Sequence, residues 1–404
     1  MNIKSLLLGS AAALAAVSGA RAADVIVPVA PEPANYVKVC DVYGTGFYYI
    51  PGTETCLSVS GYVRYKISAF GKIEDDFGNQ FLANENGNNY QVLSQVRARL
   101  NFDAREETEY GTLRAFARVQ ATNTFGANSN NAGYSMDQAY IQLGGLTMGY
   151  LDSLWTTEDG VLTDTDLAVG DFKTNRISYT YAANGLSASL SVEDDGNANW
   201  TPNVVGLVKY EGGWGAAYLA ASYDEKQDTF QLASANSIGV QGKDDAFALK
   251  AGVTLKDLIA TDSQFKVEGS YAFDPSVYSQ ISLFDGTTVS PNIGANVYAV
   301  PSLFDTLPVK WQAGAGYAQQ FGKLGVAVSG AYGQTFDIYG ANVNLGKGKY
   351  YELVGNVGYE ITKNFDMLTE IRYKNLKFDS ANTALLPNDK LDQLSGFVQF
   401  VRSF

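Results

Sequence analysis

From residue 57 to residue 404 the chain repeats one pattern: runs of about ten residues in which apolar and polar positions alternate. In 57–70, Val59, Gly61, Val63, Tyr65 and Ile67 fall on one face and Ser60, Tyr62, Arg64, Lys66 and Ser68 on the other. Leu113, Ala115, Ala117 and Val119 oppose Thr112, Arg114, Phe116, Arg118 and Gln120 in the same way. The alternation returns around Leu249, Ala313, Leu353 and Val398. A period of two marks a strand whose two faces meet different surroundings. It predicts strands at 57–70, 91–104, 110–121, 135–143, 146–151, 175–182, 185–193, 203–211, 214–223, 244–255, 263–273, 309–319, 323–334, 349–360, 364–375 and 393–404, sixteen in all.

The gaps between runs alternate in length. Gly144-Gly145, Ala183-Asn184-Gly185 and Gly212-Gly213 are short, as are 106–109, 257–262, 320–322 and 361–363; between them lie longer segments rich in Asn, Asp and Gly. A soluble sandwich has no reason to make its loops take turns in length. A transmembrane antiparallel β-barrel does, with lipid outside, water inside, tight turns at one rim and long loops at the other. Each run is long enough for a tilted strand to cross a bilayer. Tyr110, Tyr150, Tyr181, Tyr218, Phe273, Tyr317, Tyr373 and Phe400 lie near strand ends, where interfacial aromatic girdles would sit. The last strand ends on Phe404, a terminal aromatic of the kind outer-membrane barrels carry. The stretch 274–308 is the least regular: it reads as one long loop, yet 278–284 and 295–300 also alternate, so the alternatives are flanking strands extended beyond the membrane or an extra hairpin and eighteen strands.

The start of the chain reads differently. Lys4, the apolar stretch 6–17 and Ala20-Arg21-Ala22 form a secretory signal with an A-x-A cleavage site, so 1–22 is expected to be removed. Residues 23–56 form a lead with Pro28, Pro31 and Pro33, expected to be extended or disordered, ahead of a barrel domain at 57–404. The lead holds both cysteines, Cys40 and Cys56; in an oxidising compartment they form one disulfide closing a small loop. Without Lys4 and Arg21 the 29 basic residues fall to 27 against 42 acidic ones, a net of −15, which makes nucleic acid a poor partner.

No histidine occurs in the chain, which removes the usual general base, the Ser-His triads and an N/S metal set. Gly314-Ala315-Gly316 lies inside a strand pattern and is no dinucleotide fingerprint. Neither an enzyme nor a cofactor is expected. The constellation that asks for an explanation is basic. Arg64, Arg97, Arg99, Arg114 and Arg118 share the polar faces of three consecutive strands, roughly 5 Å apart across the sheet, where like charges repel. A compensating field is available in the segment after 151, which carries Asp152, Glu158, Asp159, Asp164, Asp166 and Asp171. Folded into the barrel, those acids would face the arginines across a constriction; as an exposed surface loop they would not. The acidic excess favours cations and the arginines oppose them, so weak cation selectivity is expected.

Val39-Cys40-Asp41-Val42-Tyr43-Gly44-Thr45-Gly46-Phe47-Tyr48-Tyr49-Ile50-Pro51-Gly52-Thr53-Glu54-Thr55-Cys56-Leu57, followed by Gly61-Tyr62-Val63-Arg64-Tyr65, resembles the N-terminal signature of the alphaproteobacterial general porins. Leu146-Thr147-Met148-Gly149-Tyr150-Leu151-Asp152-Ser153 resembles the approach to their constriction loop. Arg402 departs from the aromatic often found two places before the end. The resemblance implies a sixteen-stranded outer-membrane barrel in contact with lipid, three copies per assembly, an inward third loop and passive diffusion of small hydrophilic solutes. A substrate-specific channel for sugars or dicarboxylates, and a loop-displaying adhesin barrel, are the competing readings.

Overall fold

The computed structural model describes residues 38–71, 73–75, 90–125, 133–196, 200–225, 238–239, 245–284, 307–340, 343–379 and 390–404. The barrel belongs to the unit Val39–Phe404. The expected signal and the proline-rich part of the lead lie outside the described residues.

Sixteen long strands form the wall: β1 Cys56–Gly71, β2 Tyr90–Thr108, β3 Gly111–Phe125, β4 Tyr134–Leu143, β5 Leu146–Asp152, β6 Lys173–Ala183, β7 Leu186–Glu193 and β8 Asn203–Gly212, then β9 Gly215–Glu225, β10 Asp245–Lys256, β11 Ser263–Ala272, β12 Leu307–Phe321, β13 Leu324–Gly340, β14 Val343–Thr362, β15 Phe365–Phe378 and β16 Lys390–Ser403. Each pairs antiparallel with its sequence neighbours, and β1 pairs with β16 from Tyr62↔Ser403 to Phe70↔Ser395. Phe404 completes the seam, exchanging two 3.0 Å backbone bonds with Gly61. The result is a closed sixteen-stranded antiparallel barrel.

Alternation sorts the side chains as the pattern predicts, with polarity inverted relative to a water-soluble protein. Val63, Tyr65, Leu219, Phe247, Leu249 and Leu353 point outward and are exposed, whereas Lys250, Glu352, Glu370 and Lys374 point inward and are 1–2 % exposed. So continuous an apolar exterior asks for hydrocarbon against it. Tight turns gather at one rim. Asn184 and Gly185, both at positive φ (53° and 81°), join β6 to β7 in the left-handed geometry that two-residue hairpins need.

Two segments gain detail that the alternation alone did not carry. The lead is folded where it is described: Phe47–Tyr49 pairs with the start of β1, and the Cys40–Cys56 disulfide packs with Phe47 in a small buried cluster. The stretch 278–284 adds no barrel strand. Val277–Ser279 is a 3-10 turn, Gln280–Ile281 pairs with Leu307 and Pro308, and Tyr278, Ile281, Leu283 and Phe284 are buried. The run 295–300 lies outside the described residues. Short alternation could not tell a wall strand from a segment buried on both sides.

The disulfide lies outside the β1–β16 seam, so it pins the lead without holding the barrel closed. With Cys40 and Cys56 both replaced by Ser, the barrel should still form, losing about 3 kcal/mol or less by the chain-entropy account. Denaturant unfolding of purified protein measures the loss; failure of the double variant to form a barrel contradicts this placement.

Candidate functional site

The connection 153–172 enters the barrel. Its first turn is held by Glu193 of β7, a buried carboxylate that accepts from Ser153 Oγ at 2.7 Å, Leu154 N at 2.9 Å and the Tyr278 hydroxyl at 3.0 Å. Trp155 packs edge-on against Tyr278 and donates its indole N–H to the Val169 carbonyl at 2.8 Å, closing the loop on itself. Apolar side chains of the loop and of 277–278 share a cluster with inward residues of β8 to β11, including Val205, Leu207, Ala220 and Ala248. The 278–284 segment thus braces the loop, and the Gly170 N–H donates to the Gln280 carbonyl at 2.7 Å.

From there the loop runs along the inner wall. Glu158 pairs with Lys209 of β8 and Asp159 with Lys250 of β10, each at 2.8 Å. The Val161 carbonyl lies so close to Gly316 of β12 that a Cβ there would sit 1.7 Å from it. The Gly314-Ala315-Gly316 run therefore makes room for the loop backbone. Further on, Thr163 meets Ser329 of β13, and Glu370 of β15 accepts from the Asp164 N–H at 2.9 Å and from Thr165. Asp164 also lies 3.9 Å from Lys66 of β1. The loop thus spans the lumen from β5 to the seam, and the Asp166 carboxylate ties its bend by accepting from the N–H groups of Val161 and Thr163.

The predicted arginines all face inward from β1 to β3. Arg64 stands directly opposite Arg97, and Arg114 opposite Arg105. Among the described residues, no loop carboxylate bonds to Arg97, Arg99, Arg114 or Arg118; the acids that meet Arg99, Arg114 and Arg118 come from the wall itself. Asp103 forks onto both Arg105 and Arg114 at 2.7–3.0 Å. Asp137 lies 2.8 Å from Lys173, 3.4 Å from Arg118 and 3.5 Å from Arg99. Arg97 bonds Thr122 and Arg64 bonds Gln95, both neutral partners.

Sequence reasoning missed both acids, for different reasons. Asp103 lies on the same alternate face as Arg97 and Arg99 and was legible there. Asp137 was not: a β-bulge between β3 and β4 at Arg118/Val119 adds a residue, so Asp137 and Gln138 both turn inward. The lysines that receive the loop, Lys209 and Lys250, also went unremarked.

Of the loop acids, Asp152 bonds Gln138 at 2.6 Å, and Asp164 and Asp171 keep exposed edges. The protein packed around Asp164 and Asp171 raises both carboxyls above their usual range, opposed by Lys66 at Asp164 and reinforced by Asp159 at Asp171. Burial also raises Asp159, against the pull of Lys250. Two cavities flank the loop. One of about 530 Å³ holds Asp164, Asp166 and Asp171 against Arg372 and Lys374 on the long-loop side; one of about 660 Å³ lies toward the short turns.

The sequence matches the family model described as the porin subfamily over residues 24–397. It is 33% identical to the porin Omp2b of Brucella neotomae over the full length of both chains. It is 41% identical to the porin Omp2b of Brucella suis over 250 residues, 55% of this chain and 66% of that one. The outer membrane channel DcaP of Acinetobacter baumannii superposes with a TM-score of 0.60 at 12% identity, covering 88% of this chain and 99% of that one, a likeness of fold.

Glu193 is the anchor of the loop. Glu193→Ala removes three accepted hydrogen bonds, each worth about 1.5–3 kcal/mol when the acceptor is charged. The barrel should persist while amide hydrogen exchange over 153–157 rises sharply; unchanged exchange there would remove Glu193 from this role.

Proposed function

The chain belongs to the porin family and is an outer-membrane channel for passive diffusion, and we propose that the loop 153–172 and the arginine wall of β1 to β3 form its constriction. The observation that carries this is the loop's course. It leaves the wall at β5, is bonded to β7, β8, β10, β13 and β15, and reaches Lys66 of β1. A solute crossing the barrel then passes between the loop and the basic strands.

Glu158 and Asp159 are tied to lysines of the wall that the loop lies on, so their field is largely spent locally. Asp164 and Asp171 remain exposed on one side; Arg64 and Arg97, with neutral partners, stand on the other. Opposed charges across a narrow lumen orient dipolar solutes and set ion preference. With so few exposed charges, and Lys66 3.9 Å from Asp164, the preference is weak, and the acidic excess of the whole chain does not decide it. Two further proposals rest on the family likeness: assembly as three copies, and the absence of covalent chemistry, which a chain without histidine also favours.

Replacing 158–171 by a short Gly-Ser link should raise single-channel conductance and the uptake of larger sugars. Barrels that conduct as before would place the constriction elsewhere.

The charge balance has its own test. Arg64→Gln with Arg97→Gln should move the zero-current potential in a salt gradient toward cation preference, and Asp164→Asn toward anion preference. Both shifts should shrink at 1 M salt, where the Debye length is about 3 Å. Lowering the pH protonates Asp164 and Asp171 and removes loop negative charge. Because both carboxyls titrate high, the shift toward anions should begin above the ordinary carboxylate range of about 4. A potential that ignores all three changes would take these residues out of the narrow part of the pore.

A further inference from the structure

Beneath the loop, on the short-turn side, the wall of β5 to β7 carries a ladder of hydroxyls. Thr147 stands opposite Ser178, Ser178 opposite Ser191, and Thr180 opposite Ser189, all on the inward face. Thr147, Ser178, Thr180 and Ser189 line the 660 Å³ cavity, which reaches the β6–β7 turn.

Arg176, two residues up β6 from Ser178, lines the same cavity. Its Nε and Nη1 are buried and donate to nothing. Among the described residues every other arginine makes a hydrogen bond. The reason is local: the residue opposite Arg176 in register is Glu193, whose oxygens are taken by Ser153, Leu154 and Tyr278. Buried guanidinium nitrogens left without acceptors are costly, and a ligand that supplies them gains correspondingly. The cavity also holds Lys209, which serves both Glu158 at 2.8 Å and Glu211 at 3.3 Å, so this group carries net negative charge. A ligand with a second anionic group would meet those carboxylates. One carboxylate followed by a neutral hydroxylated tail fits both Arg176 and the ladder.

We propose that this cavity is a weak binding subsite for sugar acids, in which the ligand carboxylate takes Arg176 and its hydroxyls take Ser178, Thr180 and Ser189. The proposal rests on the porin reading and deepens it: the pore remains general, but this class of solute is retained during transit.

The test is single-channel recording of the purified full-length protein in a planar bilayer, in KCl. Gluconate, sorbitol and propionate are added to each compartment in turn. Sorbitol keeps the hydroxyls without the charge, and propionate the charge without the hydroxyls. Gluconate should interrupt the current at about tenfold lower concentration than either, as one charge-assisted hydrogen bond would give. Arg176→Gln should abolish that advantage, with block scaled to the variant's own open current, and Arg176→Lys should retain part of it. Thr180→Ala with Ser189→Ala should weaken gluconate while leaving propionate unchanged. Equal block by gluconate and propionate, or an advantage that survives Arg176→Gln, would overturn the subsite. Absence of any KCl current steps would overturn the pore reading and the subsite with it.

Discussion

The seam between β1 and β16 is the constraint from which the rest of the molecule follows. Backbone N–H and C=O groups facing hydrocarbon have no water to turn to, so a sheet can span a membrane only if it has no free edges. Residues 62–70 and 395–403 satisfy one another across that seam, and Phe404 adds the last pair of bonds with Gly61. Once the sheet is closed, alternation acquires absolute meaning. Every second side chain must suit lipid, and every other one must suit an enclosed aqueous space.

That enclosed space is where the polar residues carry consequence. A barrel of this size would otherwise be a wide hole. Here the loop 153–172, braced by 277–284, fills part of it with a packed interior of its own. The loop is held less by its tip than by its root, where Glu193 gathers three donors in a water-poor setting. Its carboxylates then run along a wall of lysines, so the loop and the strands β8 to β11 neutralise one another. Arg99, Arg105, Arg114 and Arg118 are neutralised within the wall itself by Asp103 and Asp137, and Arg64 and Arg97 bond neutral side chains. What remains for a passing solute is the small residue of charge left by these local pairings.

The use of Glu193 as the loop's anchor has a second effect. It leaves Nε and Nη1 of Arg176, its register neighbour, without acceptors beside a row of hydroxyls. Holding the loop in place and leaving two guanidinium nitrogens beneath it without acceptors are therefore two results of one side chain's hydrogen bonds.

The period-two alternation determined by itself that the chain is an antiparallel barrel of sixteen or eighteen strands, that the tight turns share one rim, and that Arg64, Arg97, Arg99, Arg114 and Arg118 face the lumen. A face assignment needs only the parity of a residue within its strand, and parity is written in the sequence. The pairing of charges was decided by tertiary structure. Glu158 meets Lys209 and Asp159 meets Lys250 because of the path of a loop, which has no period to read. Asp137 points inward because a bulge shifts parity by one, and nothing in the local pattern announces it. The inward turn of 278–284 rests on apolar residues that read equally well as a strand. Parity in the sequence sets which side of a wall a residue occupies wherever the strand runs without a bulge; only the closed barrel sets what stands across from it.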